Sequence, residues 1–161
     1  MIERTKELVK EYKLERHPEG GWFAENYTSE KTDGQRAFSG SIYFMLDKGD
    51  ISHFHQIDCE EIWYYHEGCG MKITVINGGE VKEYLLGKDI SKGQSMMVVV
   101  PRDSIFAAEN LEEDDYTFVS CMTTPKFTYD GFRLVGRQEL KDVIDESTLI
   151  RLAYEDEKIK P

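Results

Sequence analysis

Residues 71 to 86 read MKITVINGGEVKEYLL. Two alternating, β-prone runs flank an Asn-Gly-Gly turn, a strong hairpin signal. The same plan recurs along the chain. AFSGSIYFML is closed by DKGD, and ISHFHQI is followed by EIWYYH and the turn EGCG. SMMVVV stops at Pro101, SIFAAE and YTFVSCM flank an acidic loop, and KFTYDGFRLV is a further strand candidate. Many short strands with glycine-marked turns build a sandwich or a barrel, so the expected class is all-β.

Helical patterning is confined to the ends. Leu8, Val9 and Tyr12 form a modest apolar stripe over residues 2–14, which Pro18 and the Gly20–Gly21 pair terminate. From Gln138 the spacing of Leu140, Val143 and Ile144 suits one helix face. No linker or long repeat divides the 161 residues. The expectation is one domain, 1–161, with a barrel core at about 20–137, an N-terminal helix at 2–14 and a helical tail at about 138–155.

Formal net charge is -11, with acidic residues concentrated between Glu109 and Asp115 and in the tail. That balance repels a phosphate backbone, so no nucleic-acid partner is expected. Three cysteines without CxxC spacing, a charged start and no long apolar run point to a cytoplasmic protein with no membrane partner.

Chemistry concentrates in GDISHFHQIDCEEIW, residues 49–63. Side chains two apart in a strand share a face, so His53 and His55 are expected together. Glu61, Trp63 and Tyr65 would share a face of the next strand, and a turn through Asp58 and Cys59 would bring the two sets into one pocket. His55 and Glu61 then form a candidate acid/base pair. His53, His55 and Glu61 form a weaker candidate site for a divalent metal, the alternative being no cofactor. His66 has the wrong parity and is expected outside or packed. Further ligand-binding candidates are Glu25 and Tyr27, which follow HPEGG with shared strand parity, and Arg36, which could hold a carboxylate or phosphate. Ser41 and Tyr43 are also candidates, on a face of SIYFML that periodicity allows to be either cavity or solvent side. His17-Pro18-Glu19-Gly20-Gly21 is read first as a bend, on turn chemistry alone.

Gly49-x3-His53-x-His55-x5-Glu61-x6-Gly68 resembles the first signature of the cupin superfamily, and GQSMMVVVPRDSIF resembles the second. HPEGG, SIYFML, FHQIDCEEIWYYHEG, LLGKDISKGQ, VVVP and VSCMTTPKF follow one branch in order, cupin family 5, across roughly residues 8 to 135. In that branch an aromatic commonly replaces the second-signature His, and Phe106 stands at that place. Ala24 and Lys126 stand where the branch commonly carries Arg and Gly. The resemblance implies a double-stranded β-helix (jelly roll), a homodimer, and a small-molecule cavity that Phe106 would help to line, and it directs the Ser41 and Tyr43 face to that cavity. The leading functional expectation is a small-molecule-binding protein of epimerase or isomerase type, acting on a sugar-like or carbonyl-containing metabolite. The alternatives are a metal-dependent oxygenase or hydrolase and a non-catalytic binding or storage-like barrel.

Overall fold

A computed structural model describes residues 1–159. Eleven strands form two antiparallel sheets. The first sheet contains β1 (Glu15–Arg16), β2 (Trp22–Thr28), β3 (Gly40–Leu46), β10 (Thr117–Thr124), β5 (Glu60–Gly68) and β8 (Met97–Val100), in that spatial order. The second contains β11 (Phe132–Leu134), β4 (Ile51–Ile57), β9 (Ile105–Asn110), β6 (Met71–Asn77) and β7 (Glu80–Leu86). Sequence neighbours such as β4 and β5 lie in opposite sheets, which is the crossing pattern of the expected jelly roll.

The hairpin at 71–86 forms as its pattern requires, with Ile76 opposite Val81 and Asn77 opposite Glu80. Inward-facing Phe44, Leu46, Trp63, Ile73, Val100 and Phe106 close the space between the sheets. Burying each such side chain contributes roughly 1.5–3 kcal/mol.

The helices cover the outside. α1 (Glu3–Tyr12) lays Leu8 on Met45 and Phe118, on the outer face of the first sheet. It ends at Lys13, whose backbone is left-handed, well before Pro18. α2 (Arg137–Leu140) and α3 (Glu146–Leu152) seat Leu140 and Leu152 against Phe54 and Ala107, on the outer face of the second sheet. The KFTYDGFRLV segment is a short helical turn at Tyr129–Gly131 followed by only three strand residues. Its aromatic residues pack on one another, at 5.1 Å for Phe127–Tyr129 and 5.8 Å for Phe127–Phe132, and this cluster roofs one end of the barrel.

Candidate active site

A cavity of about 230 Å³ opens at that end, between the sheets. Phe23, Ile42, Phe127 and Tyr129 line it on the apolar side. Its polar wall carries His17 and Glu19 from the bend before β2, His55 from β4, Glu61 from β5, and Cys121 and Thr123 from β10. Glu25 and Lys126 stand at the mouth.

The deep end is built around Glu19. Gly20 and Gly21 both have positive φ, and a Cβ on Gly20 would fall 2.0 Å from the Ile51 carbonyl oxygen. Only glycine permits that approach, and it drives the preceding Glu19 into the barrel. Its carboxylate lies 2.9 Å from His55 Nε2 and accepts the Ser52 hydroxyl at 2.9 Å. His55 Nδ1 donates to the His53 carbonyl at 2.7 Å. Both nitrogens of a fully buried ring therefore face acceptors, which calls for an imidazolium. Burial opposes that charge, but Glu19 overrides it and raises the His55 pKa. Burial likewise opposes ionisation of Glu19, and the positive ring of His55 wins and lowers its pKa. His17 takes the other state. Its Nδ1 accepts the Glu19 backbone N–H at 3.3 Å, and burial lowers its pKa, so it is neutral.

Glu61 is the counterpart. It is buried on the same cavity, without a cation of its own. Burial and the Glu19 charge raise its pKa to about 7, against the weaker pull of His55 and a hydrogen bond from Cys121. The Cys121 thiol is pushed up by burial and by Glu61, so it remains protonated.

Several expectations need correction. His53 does not share a face with His55. The register advances from Ser52 opposite Ala108 to His55 opposite Phe106, three steps on β4 against two on β9. This β-bulge inserts one residue and reverses the alternation. Ser52 and His55 consequently face Glu19, while His53 turns outward and stacks on Tyr154 at 4.1 Å. Trp63 faces inward but below the cavity, packed edge-on against Phe44 and Phe106. Tyr65 lies deeper still, its hydroxyl donating to the Gly68 carbonyl. Phe106 packs on the His55 ring at 4.2 Å and forms the floor beneath it without bordering the cavity.

On β3 the hydroxyl face is the outer one. Tyr43 packs on Tyr12 and Phe118 under α1, because the inner face is taken by Ile42 and Phe44. Ser41 does border the mouth. Tyr27 is solvent-exposed, displaced by a register shift between Glu25 and Tyr27. Arg36 is spent on structure. It forms a two-pronged pair with Asp58 at 2.9 and 3.0 Å and donates to the Lys126 carbonyl. His66 is exposed and bonded to Ser120, as its parity requires.

The bend reading of HPEGG is half of the finding. His17 and Glu19 also belong to the cavity, and a carboxylate set immediately before two glycines was the available signal.

Comparison with known proteins completes the description. Residues 6–135 match the family described as "Cupin superfamily (DUF985)". The chain belongs to that family. Among solved structures, this cupin is similar to protein SO0799 from Shewanella oneidensis, at 32% identity and a TM-score of 0.88, covering 94% of this chain and 98% of that one. It also resembles a hypothetical protein from Leishmania major, at 25% identity and TM-score 0.83, covering 93% and 98%. Among curated sequences, uncharacterized protein YML079W of Saccharomyces cerevisiae is 27% identical over 92% of this chain and 84% of its own length.

Members of this superfamily often bind a metal, and the residues present do not fit one. His53 points away, and His55 commits both nitrogens to the His53 carbonyl and Glu19. Among the described residues, no group of three or more His, Cys, Asp or Glu side chains is placed to hold an ion.

Proposed function

We propose that this cupin binds a small sugar-like or carbonyl-containing metabolite in the cavity and moves a proton on it through Glu61, as an epimerase or isomerase does. The observation that carries this is a buried carboxyl open to the cavity, with no cation of its own, beside a fixed imidazolium. A group that titrates near neutrality can both take and return a proton.

The roles differ from those of a symmetrical His–Glu pair. His55 has no free nitrogen with which to act as base. Ionised Glu61 takes the proton from the carbon beside the carbonyl. The negative charge that develops on the carbonyl oxygen is stabilised by the field of the imidazolium. The same carboxylic acid then returns the proton.

The test has two stages. A metabolite screen by thermal shift finds a stabilising ligand, and NMR in D2O then follows exchange of its carbon-bound proton. Glu61→Gln is expected to keep the stabilisation and lose the exchange. Exchange at the wild-type rate in that variant would remove Glu61 from the chemistry. A ligand that stabilises wild type without any exchange would favour the non-catalytic barrel.

Two other expectations remain part of this proposal. A homodimer is supported by exposed Tyr64, Met97 and Val99 on the outer face around the edge strand β8, and sedimentation would test it. A cytoplasmic setting is supported by three unpaired cysteines. No helix among the described residues is long and apolar enough to cross a membrane.

A further inference from the structure

Lys126 is the only Lys or Arg that borders the cavity among the described residues. Its position is held at three points. Arg36 binds its carbonyl oxygen at 2.5 Å. Its stem crosses Gly40, where an added Cβ would meet the Lys126 side chain at 2.8 Å. Its ammonium donates to Glu25 at 3.0 Å and to the Thr28 hydroxyl at 2.8 Å, and Thr28 in turn donates to Glu25 at 2.9 Å. The side chain therefore runs from the loop after β10, across β3, to β2. It forms a bar over the mouth.

The charges on the wall are matched in pairs. Glu19 neutralises His55, and Glu25 neutralises Lys126. Glu61 is left, so the wall is neutral when Glu61 is protonated and carries a single negative charge when it is ionised. An anionic ligand finds no unmatched cation here, and it would sit beside Glu61. The whole chain, at -11, repels it from further away as well.

We propose that Glu25 is a specificity-determining residue: it occupies the Lys126 ammonium that a phosphate or carboxylate would need, and so restricts the cavity to uncharged polar ligands. This inference rests on the reading of the cavity as a binding site and names the class of its occupant, an unphosphorylated polyol or carbonyl compound. The attached carboxylate competes at a high effective concentration with any free anion. The pair is partly exposed, so its own contribution to stability is small and its removal leaves the fold intact.

The test uses inorganic phosphate as probe and needs neither the natural ligand nor Glu61. Binding is measured by thermal shift and by NMR titration at constant ionic strength, with chloride as the control. Wild type is expected to show no saturable response. Glu25→Gln is expected to gain saturable phosphate binding, and the double variant Glu25→Gln, Lys126→Met to lose that gain. Saturable binding to wild type that depends on Lys126 would overturn the proposal. So would a Glu25→Gln variant that gains nothing, or one whose gain survives loss of Lys126. None of these outcomes bears on proton exchange by Glu61, so the two readings fail separately.

Discussion

Glu19 and Glu61 are two buried carboxyls on one cavity, and the structure drives them in opposite directions. Glu19 sits against an imidazolium ring, a second histidine and a serine hydroxyl, and its pKa falls. Glu61 has a thiol for a donor and Glu19 for an electrostatic neighbour, and its pKa rises to about 7. Burial is the same for both. The difference lies in which of them holds the cation, and it separates a fixed structural charge from a group able to exchange a proton at neutral pH.

The largest effect is expected at Glu19. Glu19→Gln leaves the His55 imidazolium buried without its counter-charge, a loss of about 3–5 kcal/mol. At roughly 2–4 °C per kcal/mol for a chain of this size, thermal melting at pH 7 should fall by about 10 °C. If the variant melts as wild type does, the ion pair is not what holds this end of the barrel. The pair also has a defined pH window. Glu19 has a depressed pKa, so its contribution is present above the ordinary carboxyl range and is lost as pH falls through the lower folded value. His55 has a raised pKa, so its contribution is complete below the ordinary histidine range and is lost as pH rises through the higher folded value.

The sign reverses for Glu61. Its folded pKa of about 7 lies above the unfolded value of 4.5, so the native state binds the proton more tightly and loses stability as pH rises through that interval. At about 1.4 kcal/mol per unit the penalty approaches roughly 3 kcal/mol once Glu61 is ionised. Glu61→Gln removes the charge and keeps the shape. Melting curves should show the variant more stable than wild type at pH 8 and nearly equal to it at pH 4.5. Equal stability at both values would place an unpenalised carboxylate at that site and end the contrast.

The smallest effect sharpens the comparison from outside the cavity. His53→Ala removes the stack on Tyr154 and one hydrogen bond to the Glu19 carbonyl. The expected cost is about 1 kcal/mol, read by denaturant unfolding. The Glu61 titration, followed by carboxyl infrared absorption or NMR, should not move. A shifted Glu61 pKa would show that the bend transmits changes from its outer side.

The strand plan was legible because alternation is local: Trp63 points inward as its spacing indicates. Glu61 was legible for the same reason, being on the face of β5 that carries Trp63. His53 was misplaced because a bulge leaves no mark in a run such as SHFHQ, where either parity is compatible with the residues. It follows from the fit of β4 against β9. The interior face of β3 was misread because the hydroxyls of Ser41 and Tyr43 suit a wet cavity, whereas α1 covers Tyr43 on the outer face.

The chain by itself therefore determined an all-β sandwich or barrel, the bend at Gly20–Gly21 and the inward direction of Glu61, since each depends on residue type and near neighbours. Only the tertiary structure decided that Glu19 meets His55, that His53 leaves the site, and that Lys126 reaches across Gly40 to Glu25. Those contacts join residues far apart along the chain. Their electrostatic consequences depend on distance in a desolvated space, which no local pattern of residues encodes.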